Sequence, residues 1–283
     1  SFVRCADDIT GLQYWLSKQG KKCAIVAKME RPEALINANE IVQVADVVMI
    51  ARGDLGVELP PEQVPVAQQT LIDIARLHHK PVIVATQVLE SMIEHARPTR
   101  AEATDIFHAV SGGACGVMLS GETAVGGYPV ESVEMMSRVI FNAEAYLWQK
   151  NAFALTDITP DGEILPFGSA VARSTAQLSR DLMVRGIVVL SCTGVTASTI
   201  SSARPEAPIL GVSPNADACR KMNMLWGVIP VRVKTCLTDN QIELAKMLVK
   251  EFGLAQEGDS ILLVQGFHEK DERNHPSVTA LKV

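Results

Sequence analysis

Four short, almost wholly apolar runs punctuate the first half of the chain: CAIVA (23–27), DVVMI (46–50), PVIVA (81–85) and CGVML (115–119). A strand with one face in water alternates apolar and polar residues. These runs do not alternate, which is the pattern of parallel strands covered on both faces. Between them the spacing predicts helices over roughly 32–44, 61–79 and 99–112, with another over 129–146. Pro32, Pro61 and Pro129 suit the first turns of these helices, where a missing N–H costs little.

Strands that alternate with helices predict a parallel α/β architecture. The polar clusters KME (28–30), ARGDLG (51–56), TQVLES (86–91) and SGET (120–123) all follow the carboxyl ends of the predicted strands. A β/α barrel gathers those ends on one face, whereas an open doubly wound sheet concentrates its chemistry at one switch point. The expectation is therefore an incomplete, second-half TIM-type β/α barrel over residues 1–146. Residues 147–168 lose the repeat, gather Asp, Pro and Gly, and read as a linker. A separate α/β domain is expected over 169–283. Its strands are predicted in RGIVVLS, PILGVS, DSILLVQG and SVTALKV, and its helices over 168–182, 196–206 and near 215–225 and 238–253.

Composition narrows the function classes. At 283 residues, 47% hydrophobic and 20% charged, the chain has the make-up of a soluble globular protein of about two domains. A net charge of −6 lacks the basic footprint of a nucleic-acid binder. No apolar run is long enough to span a bilayer and no secretory leader is evident, so no membrane association and a cytoplasmic location are expected. The six cysteines, Cys5, Cys23, Cys115, Cys192, Cys219 and Cys236, form no C-x-x-C pair, which suits free thiols better than a sulfur metal site. The opening SFVRCADDI reads as the end of a strand running into a helix, as in the middle of a longer protein.

The candidate chemistry lies at the strand ends. Lys28 and Glu30 flank Met29, and strand alternation directs both polar side chains to one side. Asp54 brings a second carboxylate from the next strand, and two acids suit Mg²⁺, which fills its other positions with water and substrate oxygens. A salt bridge and a capping Asp would account for the same residues locally. Gly53 permits close backbone approach, and N–H groups of the RGDLG turn are candidates for an anion. Arg52 suits either an anion or a structural carboxylate pair. The Arg-Gly-Asp tripeptide abuts a buried strand and does not read as an adhesion loop. Thr86 offers a hydroxyl to a substrate carboxylate or a proton relay, or else a backbone cap. Ser120, Glu122 and Thr123 read as buttresses, Thr99 and Glu102 have capping-box spacing, and His78 and His79 read as surface residues. No zinc spacing, nucleophile elbow, Walker loop or dinucleotide fingerprint occurs.

The ordered stretch AKMERPEALINANEI…ADVVMIARGDLGVELP…VIVATQVLESMIEHARPTRAEATDIFHAVSGGACGVMLSGETAVGGYPVESV resembles the pyruvate kinase family, densely over residues 1–140 and more loosely beyond. The resemblance implies phosphoryl transfer between phosphoenolpyruvate and ADP, giving pyruvate and ATP in glycolysis. It implies that Lys28 stabilises charge on the transferring phosphoryl group and that Glu30 and Asp54 hold Mg²⁺ or Mn²⁺. Gly53, Asp54, Thr86 and Lys28 would hold the substrate, with Thr86 helping to place the proton delivered to carbon. Met29 stands where relatives carry Ile or Val. K⁺ is implied for the full-length enzyme, with no ligands in this chain. SCTGVTA (191–197) resembles the loop that holds a sugar-phosphate activator in some members, making Ser191, Thr193, Gly194 and Thr196 candidates for an effector phosphate. Val195 and Thr196 bring no basic residue, and GFHEKDERNHPS departs from the aromatic, Gly-rich loop of regulated members. A homotetramer is implied.

The chain is accordingly expected to be the C-terminal part of a longer enzyme, inactive by itself. A catalytically incomplete regulatory or oligomerisation protein, or another Mg²⁺-dependent barrel enzyme acting on an enolate or oxo acid, are the competing readings.

Overall fold

The computed structural model of the chain describes residues 1–150, 165–234, 240–268 and 275–283. The expected linker at 147–168, Cys236, the start of the helix near 238 and the middle of GFHEKDERNHPS therefore lie wholly or largely outside the described residues. The chain divides into two compact units, Ser1–Ala152 and Phe153–Val283. Among the described residues no helix is long and apolar enough to cross a membrane.

The first unit runs α1 (Ala6–Lys18), β1 (Val26–Met29), α2 (Pro32–Ile36), α3 (Ala38–Val44), β2 (Val47–Ala51), α4 (Arg52–Glu58), α5 (Val64–Leu77), β3 (Val82–Ala85), α6 (Arg100–Gly112), β4 (Gly116–Met118), α7 (Gly121–Ala124) and α8 (Pro129–Gln149). Its strands form one parallel sheet in the order β1-β2-β3-β4. This is the α/β class and the partial, barrel-type strand order that the apolar runs predicted.

Strand alternation sorts each strand between two faces. Ala27, Met29, Val48, Ile50, Val82 and Val84 are buried in one core with Ile9 of α1, Ile41 of α3 and Leu71, Ile72 and Ala75 of α5. Lys28 lies in register with Met49, and Met49 with Ile83, along the opposite face. The fully buried Met29 therefore anchors β1 to the helix layer, and its polar neighbours face away from it.

Several boundaries differ from the sequence reading. The first strand starts at Val26 rather than Cys23 and includes Lys28. The Lys28 charge is met there by the carboxylates of Glu30 and Asp54. The helix expected over 32–44 is two helices meeting at Asn37. RGDLG is the start of α4 rather than a turn, despite two glycines that disfavour a helix. His78 and His79 are half-buried, not surface residues. Burial, with the neighbouring His78, pushes the His79 imidazole down to about 4.

The second unit runs α9 (Phe167–Asp181), β5 (Ile187–Leu190), α10 (Val195–Ser202), β6 (Ile209–Ser213), α11 (Ala216–Met222), β7 (Val228–Arg232), α12 (Gln241–Glu251), β8 (Ser260–Gln265) and β9 (Ser277–Lys282). The sheet order is β7-β6-β5-β8-β9, with β9 alone antiparallel to its neighbour. Along β5, Ile187 and Val189 enter the core on one face and Val188 and Leu190 the core on the other. The strand VIPVR was not among the expected ones, and its proline weakens it as a strand signal. It is nevertheless ordered as an edge strand, with Pro230 in register with Gly211 of β6.

Candidate active site

The carboxyl ends of β1 and β2 bring three charges together. Lys28 Nζ pairs with Glu30 Oε2 and donates to Asp54 Oδ2 over 2.7 Å, so both carboxylates meet at one nitrogen. Glu30 is the inner partner, its side chain only 4% exposed, whereas that of Asp54 is 56% exposed. The second Glu30 oxygen, Oε1, accepts the Phe2 backbone N–H at 2.7 Å, which fixes the rotation of the carboxylate. Asp54 stands in the first turn of α4, where the helix dipole favours a negative charge. Its hydrogen bond with Lys28 holds its carboxyl below the ordinary value. The same bond, followed by that to Glu30, raises the Lys28 ammonium above its ordinary range.

A second constellation joins α4 to the loop after β3. Gly53 N–H donates to Thr86 Oγ1 at 2.8 Å, and the Thr86 hydroxyl donates to the Ala85 carbonyl at 2.6 Å. A Cβ at Gly53 would lie 3.3 Å from Thr86 Oγ1 and 3.6 Å from Thr86 Cβ, so a side chain there would crowd the approach. Thr86 and Gln87 both have left-handed backbones, with φ of 66° and 52°. Arg52, adjacent to Gly53, is buried and donates to the carbonyls of Thr86 and Gln87 while pairing with Asp105 of α6. Of the two roles open to Arg52, the structure contains the carboxylate pair.

The same loop is held further along by two carboxylates. Glu122, buried in α7, accepts Leu89 N–H at 3.0 Å and Ser120 N–H at 2.7 Å. Glu102 accepts Ser91 N–H at 2.8 Å and Thr99 N–H at 2.7 Å, the latter within a capping box at the start of α6. Burial alone would raise the Glu102 carboxyl, but its bonds from Ser91 and Thr99 outweigh burial and lower it.

The structure thus joins Lys28, Glu30 and Asp54 at one point, and Gly53 with Thr86 at another, with α4 contributing to both. It adds Asp105 as the carboxylate partner of Arg52, the bonds of Arg52 to the Thr86 and Gln87 carbonyls, and the Phe2 N–H, none of which the sequence reading named. Asp105 lies 53 residues from its partner with no motif linking them. A charged residue next to a buried strand was the available signal for Arg52.

In the second unit, Ser191 and Thr196 are buried, while Thr193 is exposed. Ser191 Oγ accepts Gly194 N–H at 3.1 Å, and Gly194, at φ 96°, leads into α10. Ser191 thus caps its own loop, and Thr193 is the hydroxyl of this group that faces outward.

Known proteins match the chain along most of its length. The pyruvate kinase barrel domain model matches residues 1–133, and the pyruvate kinase alpha/beta domain model matches residues 169–277. The chain belongs to the pyruvate kinase family. It is 43% identical over 268 residues to a pyruvate kinase of Agrobacterium vitis, covering 94% of this chain and 54% of that protein. To a pyruvate kinase of Eimeria tenella it is 42% identical over 274 residues, covering 95% of this chain and 51% of the relative. A solved pyruvate kinase structure from Cryptosporidium parvum superposes with a TM-score of 0.86 at 34% identity, covering 99% of this chain and 57% of that one. The chain spans about half the length of the pyruvate kinases it matches.

Proposed function

We propose that this chain carries phosphoryl-transfer residues of a pyruvate kinase, acting between phosphoenolpyruvate and ADP to give pyruvate and ATP in glycolysis. The convergence of Glu30 and Asp54 on the Lys28 ammonium is the observation that supports this reading. Two hard carboxylates within reach of one cation fit Mg²⁺ or Mn²⁺, and the Phe2 N–H keeps Glu30 from turning away. Among the described residues no group of three or more His, Cys, Asp or Glu is placed to hold a metal. A two-carboxylate site leaves most of the coordination shell to water and substrate oxygens, which is what Mg²⁺ prefers. Glu30 and Asp54 would hold the ion, which supplies positive charge to the phosphoryl oxygens when bound. K⁺ belongs to the same proposal for the whole protein, with no residue of this chain assigned to it.

Phosphoryl transfer leaves the protein little covalent work, so placing charge is its main task. Lys28, whose raised pKa keeps it protonated, turns its ammonium to the oxygens of the transferring group. The bond between the enol oxygen and phosphorus breaks as a terminal phosphate oxygen of ADP takes the phosphorus. Gly53 N–H and Thr86 O–H both turn to the substrate carboxylate, giving up their present bonds to Thr86 Oγ1 and the Ala85 carbonyl. The enolate then takes a proton at carbon, and Thr86 places the donor.

The same proposal takes residues 1–146 as barrel, 147–168 as linker and 169–283 as the C-terminal domain of a cytoplasmic homotetramer. Ser191, Thr193, Gly194 and Thr196 form its candidate effector loop. The test is Lys28→Met in the protein that carries this chain. Turnover is expected to fall about 10³-fold with phosphoenolpyruvate binding retained. Unchanged turnover would remove Lys28 from the chemistry, and activity without any nucleotide would point to another enolate reaction.

A further inference from the structure

Arg52 is a buried charge in the first unit to which the proposed chemistry gives no task. Its Nε and Nη2 donate to the Thr86 carbonyl at 3.3 and 3.0 Å, and Nη2 also donates to the Gln87 carbonyl at 2.9 Å. Nη1 pairs with Asp105 Oδ2 of α6. The two carbonyls belong to the residues held at φ 66° and 52°. A left-handed backbone is disfavoured for any residue with a Cβ, and most for a β-branched one such as Thr, so this corner persists only because its surroundings hold it. Arg52 bonds both of its carbonyls. The corner in turn aims Thr86 Oγ1 at Gly53 N–H.

We infer that Arg52 is a positioning residue, clamping the Thr86–Gln87 corner so that the Thr86 hydroxyl faces the site where the substrate carboxylate is held. This rests on the role given to Thr86 above. A planar guanidinium reaches two carbonyls and a carboxylate in fixed directions, whereas an ammonium is one compact point of charge. Asp105 orients the guanidinium from α6. The far side of the loop is held separately, through Leu89 N–H on Glu122 and Ser91 N–H on Glu102. A change at Arg52 should therefore disturb the corner without releasing the whole loop.

The test is a double-mutant cycle of Arg52→Lys with Thr86→Val in the whole protein, measuring kcat and KM, with thermal melts and Mn²⁺ affinity as controls. Each single variant is expected to lower kcat roughly 10²-fold, the cost of a misplaced positioning group. The double variant should be no worse than the weaker single by more than about threefold, with Mn²⁺ affinity unchanged. Losses that multiply to about 10⁴-fold would show that Arg52 does not act through Thr86 and would overturn the inference. So would Arg52→Lys with the wild-type kcat. Wild-type kcat in Thr86→Val would instead remove the role of Thr86, and the inference with it. If Arg52→Lys does not fold, Asp105→Asn takes its place in the cycle, with the same non-additivity expected.

Discussion

Gly53 and Thr86 share a hydrogen bond of 2.8 Å from backbone N–H to hydroxyl oxygen, across the ends of two neighbouring strands. An added Cβ would meet Thr86 Oγ1 at 3.3 Å, a tight contact that the Thr86 side chain would have to ease by a few tenths of an ångström. Gly53 is also the second residue of α4, where alanine is the better helix former by less than the roughly 1 kcal/mol of a helix interior. Gly53→Ala is therefore expected to keep or slightly raise thermal stability while raising KM for phosphoenolpyruvate by roughly tenfold, equal to about 1.4 kcal/mol of lost binding. Melting curves and steady-state kinetics on one preparation check both signs.

Lys28→Met leaves the buried Glu30 and its neighbour Asp54 without their shared cation. A loss of about 1–3 kcal/mol is expected at neutral pH, below that of a fully buried pair because Lys28 is partly exposed. The Asp54 carboxyl is lowered, so its contribution is complete above the ordinary value of 3.8 and fades as pH falls through the folded value. The Lys28 ammonium is raised, so its contribution is complete below 10.5 and fades as pH rises through the folded value. The penalty should be flat from about pH 5 to 9. Mg²⁺ should raise the melting temperature of Lys28→Met more than that of the wild type, because the ion replaces the missing charge.

His79 supplies a pH effect away from the site. Its pKa of about 4 lies below the ordinary 6.5, through burial first and His78 second. Between those values the unfolded chain takes up a proton that the folded chain refuses, so stability falls as pH drops from 6.5 towards 4. The loss is about 2–3 kcal/mol. Asn accepts the left-handed backbone seen at His79, φ 53°, and does not titrate. Denaturant midpoints at pH 7 and 4.5 should differ less for His79→Asn than for the wild type; equal differences would contradict this.

Glu122→Gln probes the anchor beyond the corner. The carboxylate accepts from Leu89 and Ser120 N–H with its two oxygens. An amide replaces one acceptor by a donor that faces another donor in a buried place. Unfolding measurements should show a loss of about 1–3 kcal/mol, with hydrogen exchange at Leu89 and Ser120 speeded before exchange elsewhere in the unit.

The sequence made the layered strands and the charged ends legible for a physical reason. A strand covered on both faces must be apolar along its length, so its polar neighbours mark where it ends. The bounds were less legible: β1 was read from its apolar run but extends to include Lys28, and β7, which carries Pro230, was not read at all. At the strand ends, Lys28, Glu30, Asp54, Gly53 and Thr86 were readable from type and spacing as candidates, beside salt-bridge and capping alternatives. The left-handed Thr86 was not, because β-branching argues against it and its cause, Arg52 with Asp105, is a contact distant in sequence.

The most direct test of the account is a Mn²⁺ titration followed by electron paramagnetic resonance on the wild type, Glu30→Gln and Asp54→Asn. One tight site is expected in the wild type, weakened by roughly tenfold or more in each variant. Equal affinity in all three proteins would contradict it.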